Sequence, residues 1–320
     1  MVEPDPNDNP DVDAGAEGDV DASVDEPDAA PVCETRLAIT RFGGNQDILT
    51  VNADGSDLTN ITDPGAGNFP AWSPDGTKFA YFVVGNPDAL NVMNADGSGI
   101  QELTTGRSPS WSPDGQKITF TRRENAQTDI YAINADGTGE VRLTTLGGLR
   151  PIWAPDGSKI VFEADRDGDR DIFAMNPDGT GQVNLSVNTV TDSRPTVSPD
   201  SSRVIYGSNG VLGVVNIDGT GSGTRTLGGI VSAPHFSPDG SLIVFSSEQD
   251  GTNNVIVSAI DGTNAIILGE GTLPKWSPAG DAIAYLEGNG VAVADAAVAA
   301  SGTKIVDGSM LSVDWSPCQP

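Results

Sequence analysis

The sequence predicts an all-β protein, specifically a seven-bladed β-propeller of four-stranded antiparallel blades. A turn motif, Trp-Ser-Pro-Asp-Gly, recurs about every forty residues and is complete at 72–76 and 111–115. A second turn, ending in Asp-Gly, recurs within each period, and the chain closes on a further copy of the first motif. A period of this length is typical of a propeller blade. The prolines of the seven copies are Pro74, Pro113, Pro155, Pro199, Pro238, Pro278 and Pro317.

Both turns have a chemistry that predicts strands on either side of them. Ser-Pro-Asp-Gly has the composition of a type I turn, so the aromatic before it and the β-rich run after it are predicted strands. The second turn, as at 94–97 and 134–137, is a hairpin signal because glycine accepts a positive φ. Each unit therefore has strand A ending in the aromatic, strand B after the proline turn, strand C before Asp-Gly, and strand D at Leu-Thr. We expect the aromatic to be buried against a neighbouring unit.

Strand counting predicts how the ring closes. The repeat pattern begins with a B strand near Arg36 and ends with an A strand at Trp315, which has no B strand after it. Seven A and seven B strands are complete if the last A strand joins the first blade. Cys33 and Cys318 then fall on equivalent turn positions, which predicts a disulfide that clasps the ring and an oxidising compartment. Two unrelated free thiols are the alternative.

Residues 1–32 differ in composition from the repeats. They contain eleven Asp or Glu, no Lys or Arg and no aromatic residue, so we expect a disordered acidic tether ahead of a propeller at 33–320. A cloning or processing remnant is the alternative. The whole chain carries a formal charge of −28, and 33–320 retain 34 acidic against 17 basic residues. This balance argues against nucleic acid or an anionic membrane as the main partner.

The repeat unit resembles the TolB-type WD-like propeller repeat. The resemblance rests on Pro-x-Trp-Ser-Pro-Asp-Gly, Lys-Ile-x-Phe, Asp-Ile-Tyr-x-x-Asn-x-Asp-Gly and Leu-Thr, and it covers 33–320. It implies the propeller fold, but the same repeat serves many functions. TolB itself is a six-bladed periplasmic protein with an additional α/β domain, whereas this sequence has seven predicted blades and no such domain.

Targeting signals are not evident in the sequence. No apolar run is long enough to span a membrane, and Met1-Val2-Glu3-Pro4 starts directly in acidic sequence. The protein is then either cytosolic or has lost a secretion or lipoprotein leader. The predicted disulfide and the resemblance favour an extracytoplasmic location, in the periplasm, at the cell surface or secreted, with at most a peripheral membrane attachment through a lost N-terminal anchor.

Several cations fall on the face opposite the two turn types. The B–C and D–A loops share that face, and loops there are free to carry function. Guanidinium groups bind carboxylates and phosphates, so we expect a protein, acidic small-molecule or glycan ligand. Solubilising charge paired with nearby Asp or Glu is the alternative. The predicted ligand-binding residues, with the cations expected near the start of strand A and the channel mouth, are Arg107, Arg150, Arg194, His235, Lys275 and Asp314.

An acidic loop offers one candidate metal site. Asp165, Asp167, Asp169 and Asp171 have the carboxylate density of a calcium loop, although Gly168 is at the fourth position rather than the sixth. Asp171 also aligns with Asp129 in the preceding repeat, which favours a role in ordering the loop. Calcium is therefore a possible cofactor, and no other cofactor is predicted.

The sequence favours a non-enzymatic, monomeric binding or scaffold propeller. His235 is the only histidine, and no Gly-x-Ser-x-Gly elbow or His/Cys cluster is present. The alternatives are a calcium-type metal-dependent enzyme near Asp165–Asp171, a carbohydrate-binding protein, and a purely structural spacer on the acidic tether.

Overall fold

The computed structural model describes residue 1 and residues 35–43, 46–62, 67–85 and 87–317. Within them, 28 strands form seven four-stranded antiparallel sheets. The innermost strands (A) are β28 (Met310–Trp315), β4 (Asn68–Trp72), β8 (Arg107–Trp111), β12 (Leu149–Trp153), β16 (Asp192–Val197), β20 (Ile230–Phe236) and β24 (Thr272–Trp276). The second strands (B) are β1 (Arg36–Arg41), β5 (Lys78–Val83), β9 (Lys117–Glu124), β13 (Ile160–Asp165), β17 (Arg203–Ser208), β21 (Ile243–Gln249) and β25 (Ala282–Leu286).

The outermost strand is only two or three residues long in four of the seven blades. The third strands (C) are β2 (Asp47–Asn52), β6 (Ala89–Asn94), β10 (Gln127–Asn134), β14 (Arg170–Met175), β18 (Val211–Asn216), β22 (Thr252–Ser258) and β26 (Gly290–Asp295). The outermost strands (D) are β3 (Thr59–Asn60), β7 (Gln101–Thr105), β11 (Val141–Arg142), β15 (Val183–Asn184), β19 (Gly223–Arg225), β23 (Ile266–Glu270) and β27 (Thr303–Asp307). The Leu-Thr pair marks strand D only in part, because Leu143 and Thr144 follow β11 instead of lying in it.

The ring closes as predicted, with the last strand in the first blade. Strand β1 pairs with β2 on one side and with β28 on the other, in the register Leu37↔Trp315 and Ile39↔Val313. Beyond the strand, Arg36 N donates to Ser316 Oγ at 3.0 Å. The seven-bladed all-β fold is therefore confirmed. The predicted tether at 1–32, apart from Met1, and the predicted Cys33–Cys318 disulfide lie outside the described residues.

The large apolar residue that ends each inner strand, an aromatic in all but β16, packs between blades. Trp315 is 6% exposed and lies in one apolar cluster with residues of the first and last blades. Its indole Nε1 donates to Lys275 O of the neighbouring inner strand at 2.9 Å, and Trp111 makes the same bond to Ala71 O at 3.0 Å. At Trp111 and Trp315 the indole thus contributes apolar area and one inter-blade hydrogen bond, whereas the buried indole N–H groups of Trp72, Trp153 and Trp276 have no hydrogen-bond partner among the described residues.

The proline turns are closed by their own side chains. Ser112 Oγ donates to Asp114 Oδ1 at 2.5 Å and accepts from Lys117 N, while Gly115 adopts φ 67°. The same arrangement at the equivalent turns lowers the pKa of Asp200 to about 2 through bonds from Ser198 and Ser202. The motif therefore recurs because the anionic Asp holds the turn, not because it forms a site.

An acid-dependent loss of stability follows from these turns. At Asp239, hydrogen bonds from Ser237 and Ser241 lower the pKa from 3.8 to about 2. Because the folded pKa is lowered, the stabilisation is present above the unfolded pKa and is lost as the pH falls through the folded pKa. Urea midpoints of Asp239→Asn should therefore lie below wild type at about pH 7 and converge with it toward about pH 2. A midpoint difference that stays constant over this range would contradict the prediction.

All seven inner strands shift register against strand B, which the sequence did not predict. In six of them the shift is a β-bulge at the residue before a proline, which has a positive φ, as at Phe69 (46°) and Arg194 (54°). Proline cannot donate to the ladder, which is why the bulge forms at this position. The bulge residues are Phe69, Ser108, Arg150, Arg194, Ala233 and Leu273.

Membrane-spanning helices are not found in the described part of the chain, where no helix combines the necessary length and hydrophobicity.

Candidate ligand-binding face

Alternation of strand direction gives the propeller two different faces. One, here called the turn face, carries the Ser-Pro-Asp-Gly and Asp-Gly turns. The other, the loop face, carries the B–C and D–A loops. Each inner strand runs from the loop face to the turn face, so its first residues lie near the loop face.

A cleft on the loop face gathers arginines from three consecutive blades. It has a volume of about 720 Å³ and lies where the blades of β4–β7, β8–β11 and β12–β15 meet. We call it the arginine cleft. Its charged lining residues are Asp88, Arg107, Arg122, Arg123, Glu124, Arg150 and Arg170. Of the predicted ligand-binding residues, the structure brings Arg107 and Arg150 together here.

Arg122 is a structural residue of the cleft wall. Its guanidinium donates to both Glu140 oxygens at 2.6 and 2.7 Å and through Nε to Thr105 O at 2.8 Å, and its Cζ lies 4.6 Å from the Tyr131 ring centroid. The bond from Arg122 is the main cause of the lowered pKa of Glu140. Because Thr105 belongs to β7 and Arg122 to β9, this network ties two blades together.

A buried carboxylate anchors the other side of the cleft. Glu163 in β13 is fully buried, and its oxygens lie 3.2 Å from Arg150 Nη1 and 3.3 Å from Arg170 Nη1. Its Oε1 also accepts the backbone N–H of Arg194 at 2.8 Å. Two guanidinium groups share one carboxylate, and the Arg150 and Arg170 side chains remain 51% and 37% exposed. The two guanidinium groups therefore share one buried carboxylate and keep part of their surface open.

The remaining cleft arginines differ in how they are paired. Arg107 Nε forms an ion pair with Asp88, and the Arg107 Cζ lies 5.6 Å from the Phe82 ring centroid. Burial acts to raise the pKa of Asp88, but the bonds from Arg107 and Gly85 N lower it overall. Arg123 is exposed, and no carboxylate of the described residues lies within ion-pair distance of it.

A second cavity, the central channel, has two adjoining parts that share His235 and Lys275. The part beside the proline turns has a volume of about 310 Å³ and includes Asp314. The part toward the loop face has a volume of about 380 Å³ and is lined by Phe69, Leu273 and Leu311. Arg194 also lines it, and burial, followed by the charge of Arg150, lowers the pKa of Arg194. Arg194 is therefore linked to the cleft through its backbone but presents its side chain to the channel.

His235, Lys275 and Asp314 lie deeper in the channel than Arg194. Each is the penultimate residue of an inner strand, and all three line the channel next to the proline turns. From the sequence alone, Lys275 is expected near the start of its strand and the loop-face mouth. The structure corrects this, because Lys275 follows the bulge and Pro274 in β24. The predicted ligand-binding residues thus divide between two cavities.

The acidic loop is not assembled as a metal site. Asp171 is 1% exposed and accepts from Asn184 Nδ2 at 2.6 Å and Ser186 Oγ at 3.3 Å. Asp129, its counterpart, is 2% exposed and accepts from Arg142 and from Gly147 N. Burial, then the charges of neighbouring aspartates, raises the pKa of Asp171. In the ranges that the structure covers, no three His, Cys, Asp or Glu side chains are grouped to hold a metal ion.

Glu163 is the residue of the site that sequence reasoning missed. It occupies a position of strand B where the other repeats have uncharged residues. Those equivalents are Thr40, Phe82, Thr121, Gly207, Ser246 and Leu286. A single charged residue inside an otherwise apolar run was the available signal, since a buried carboxylate requires a cationic or hydrogen-bonding partner.

Comparisons with known proteins identify the repeat. Residues 104–229 match the family model described as the TolB beta propeller domain. TolB from Acinetobacter baumannii superimposes with a TM-score of 0.61 at 19% identity, covering 88% of this chain and 66% of that one. The chain carries TolB-type β-propeller repeats. The predicted resemblance is thereby confirmed.

Further solved structures that resemble this TolB-type propeller carry descriptions that differ from one another. A protein described as putative TolB from Agrobacterium tumefaciens is 22% identical, with a TM-score of 0.57, covering 78% of this chain and 96% of that one. An oligogalacturonate lyase from Vibrio parahaemolyticus is 17% identical, with a TM-score of 0.60, covering 76% and 80%. Likenesses at these identities show the fold alone. No match is found among curated proteins.

Proposed function

We propose that this TolB-type propeller is a non-enzymatic binding protein whose arginine cleft takes the acidic groups of a protein, a glycan or a small molecule. The observation that carries the proposal is the sharing of Glu163 by Arg150 and Arg170, both of which remain partly exposed to the cleft. A ligand carboxylate or phosphate supplies the anion that the second guanidinium lacks.

The chemistry of the cleft suits binding better than catalysis. Guanidinium groups present several donors in a planar fork and remain protonated, so they hold anions without exchanging protons at neutral pH. Their placement also stands out against the chain as a whole, which carries a formal charge of −28. A local excess of cations on an acidic surface selects and orients an acidic ligand at one place.

An extracytoplasmic location accompanies this proposal. It is supported by the distant likeness to TolB propellers and by the positions of Cys33 and Cys318 in the repeat pattern, which favour a disulfide. Thiol alkylation of the native protein followed by mass spectrometry tests this location. If both Cys33 and Cys318 can be alkylated, they do not form a disulfide and no longer support an oxidising compartment.

Binding of an acidic peptide tests the cleft directly. We expect hexaglutamate to bind the full chain in calorimetry at low salt and hexaglutamine not to bind. Replacing Arg107, Arg123 and Arg150 together with Gln should weaken binding at least about tenfold, because each charge-assisted hydrogen bond contributes roughly 1.5–3 kcal/mol.

The matched control makes the same charge change on the turn face. Lys78, Lys117 and Arg203 each begin a B strand directly after a proline turn, and the triple Gln variant of these residues should bind hexaglutamate like wild type. If the cleft variant and the turn-face variant lose affinity equally, the peptide senses net charge and the arginine cleft is not its site.

A further inference from the structure

The channel contains a charged arc that the proposed cleft function does not use. The residue before the last one occupies the same level in all seven inner strands. In chain order these residues are Ala71, Ser110, Ile152, Thr196, His235, Lys275 and Asp314. The first four have no titratable side chain, whereas the last three do and are consecutive around the ring because β20, β24 and β28 are the inner strands of neighbouring blades. The titratable groups at this depth are therefore confined to one side of the channel.

The two opposite charges of this arc are not paired with each other. No ion pair within 4 Å joins the Lys275 ammonium to the Asp314 carboxylate, and Lys275 Nζ has no hydrogen bond to any other described residue. Both residues are partly buried, and the exposure that they retain is to the channel. Burial raises the pKa of Asp314, and the charge of Lys275 opposes that rise. Charges kept apart in a confined space are costly unless something compensates each of them.

His235 adds a neutral acceptor beside Lys275. Its Nδ1 lies 3.2 Å from Phe236 O, which can only accept, so Nδ1 carries the proton and Nε2 is left as an acceptor. Burial, together with the charge of Lys275, lowers the pKa of His235 to about 3, so the ring is neutral at physiological pH. The arc therefore presents an acceptor, a cation and a carboxyl group in sequence.

Apolar side chains cover the channel wall between this arc and the loop face. Leu273, Leu311 and Val313 line the channel above Lys275, and Phe69 lines it from the blade beyond. The part of the channel toward the loop face, about 380 Å³, and the part beside the proline turns, about 310 Å³, share Lys275 and His235, so a molecule of roughly ten non-hydrogen atoms fits across them. A ligand in this channel therefore meets Lys275 and Asp314 at its deep end and, apart from Arg194, a largely apolar wall toward its mouth.

We propose that the channel binds a free α-amino acid with an apolar side chain, its carboxylate on Lys275, its ammonium on Asp314 and its side chain against Leu273 and Leu311. An amino acid carries a carboxylate for Lys275 and an ammonium for Asp314 on the same α-carbon, so that one small molecule supplies both opposite charges. A monovalent ion supplies only one of them. The proposal concerns a different cavity from the arginine cleft, so the failure of either leaves the other standing.

Three probes separate a zwitterion from a single charge. We expect L-leucine to bind the full chain in calorimetry, whereas 4-methylpentanoate, which lacks the ammonium, and 3-methylbutylamine, which lacks the carboxylate, bind at least about tenfold more weakly. L-Methionine and L-phenylalanine serve as alternative side chains. Failure of all three amino acids to bind would overturn the proposal, and so would equal binding of 4-methylpentanoate, which would indicate an anion site at Lys275 alone.

Two variants and their matched controls place the ligand on the arc. Lys275→Met and Asp314→Asn should each weaken leucine binding about ten- to hundredfold, since each removes one charge-assisted contact. The controls Lys304→Met and Asp307→Asn make the same changes on the outermost strand β27 and should bind like wild type. Circular dichroism confirms folding of each variant. Unchanged affinity in a folded Lys275→Met variant would place the amino acid elsewhere and overturn the proposal.

Discussion

Ending the chain after Ser309 is expected to abolish cooperative folding of the propeller. The deletion removes β28, which pairs with β1 and contributes Val313 and Trp315, 4% and 6% exposed, to the cluster between the first and last blades. The first blade then has an unpaired inner edge, and the neighbouring blade loses its cover. Thermal unfolding followed by circular dichroism measures the effect.

Two further variants distinguish the contribution of β28 to folding from that of the residues that follow it. A chain ending after Pro317 keeps β28 and lacks Cys318, and it should unfold cooperatively. Trp315→Ala in the full chain should cost about 3–5 kcal/mol of unfolding free energy, the usual range for truncating a buried aromatic. If the chain ending after Ser309 melts as sharply and at the same temperature as the full chain, β28 does not close the ring.

Glu163→Gln is expected to have opposite effects on stability and on ligand binding. The amide keeps one acceptor but removes the charge shared by Arg150 and Arg170, so unfolding free energy should fall by about 1–3 kcal/mol. This figure is below that for a fully buried ion pair because both arginines are partly exposed and screened by solvent. The freed guanidinium groups should then bind hexaglutamate several-fold more tightly.

Glu124→Gln is the matched control for this change. Glu124 also lines the arginine cleft, but its side chain is 51% exposed and lies 3.6 Å from Arg122. An exposed pair of this kind contributes less than about 1 kcal/mol. If Glu163→Gln behaves like Glu124→Gln in both urea unfolding and calorimetry, Glu163 does not organise the cleft.

The fold could be predicted because the residues that form its turns are close together in the sequence and recur in each repeat. The turn at Ser112–Gly115 depends on bonds among its own residues, and the same residues recur in the other units. Counting strands then required the chain end at Trp315 to pair with the beginning near Arg36. The bulges at Phe69 and Arg194 were missed because the proline that causes them also fits an ordinary strand end.

The candidate site could be predicted only to the level of a face. Alternation of strand direction placed Arg107 and Arg150 on the loop face. It did not reveal that Arg122 is held by Glu140 or that Glu163 is shared, because these contacts depend on register and on side chains from neighbouring blades. Lys275 was assigned to the mouth of the channel because the bulge, which sets the depth of each residue after it, was not anticipated.

Hydrogen-exchange mass spectrometry of the full chain with and without hexaglutamate tests the arginine cleft most directly. With hexaglutamate bound, we expect slower exchange in the segments around Thr105–Ser108 and Leu149–Arg150, which line the cleft. Exchange in the proline turns at 73–76 and 154–157 on the opposite face should be unchanged. Slower exchange confined to the proline turns, or spread evenly over both faces, would contradict this expectation.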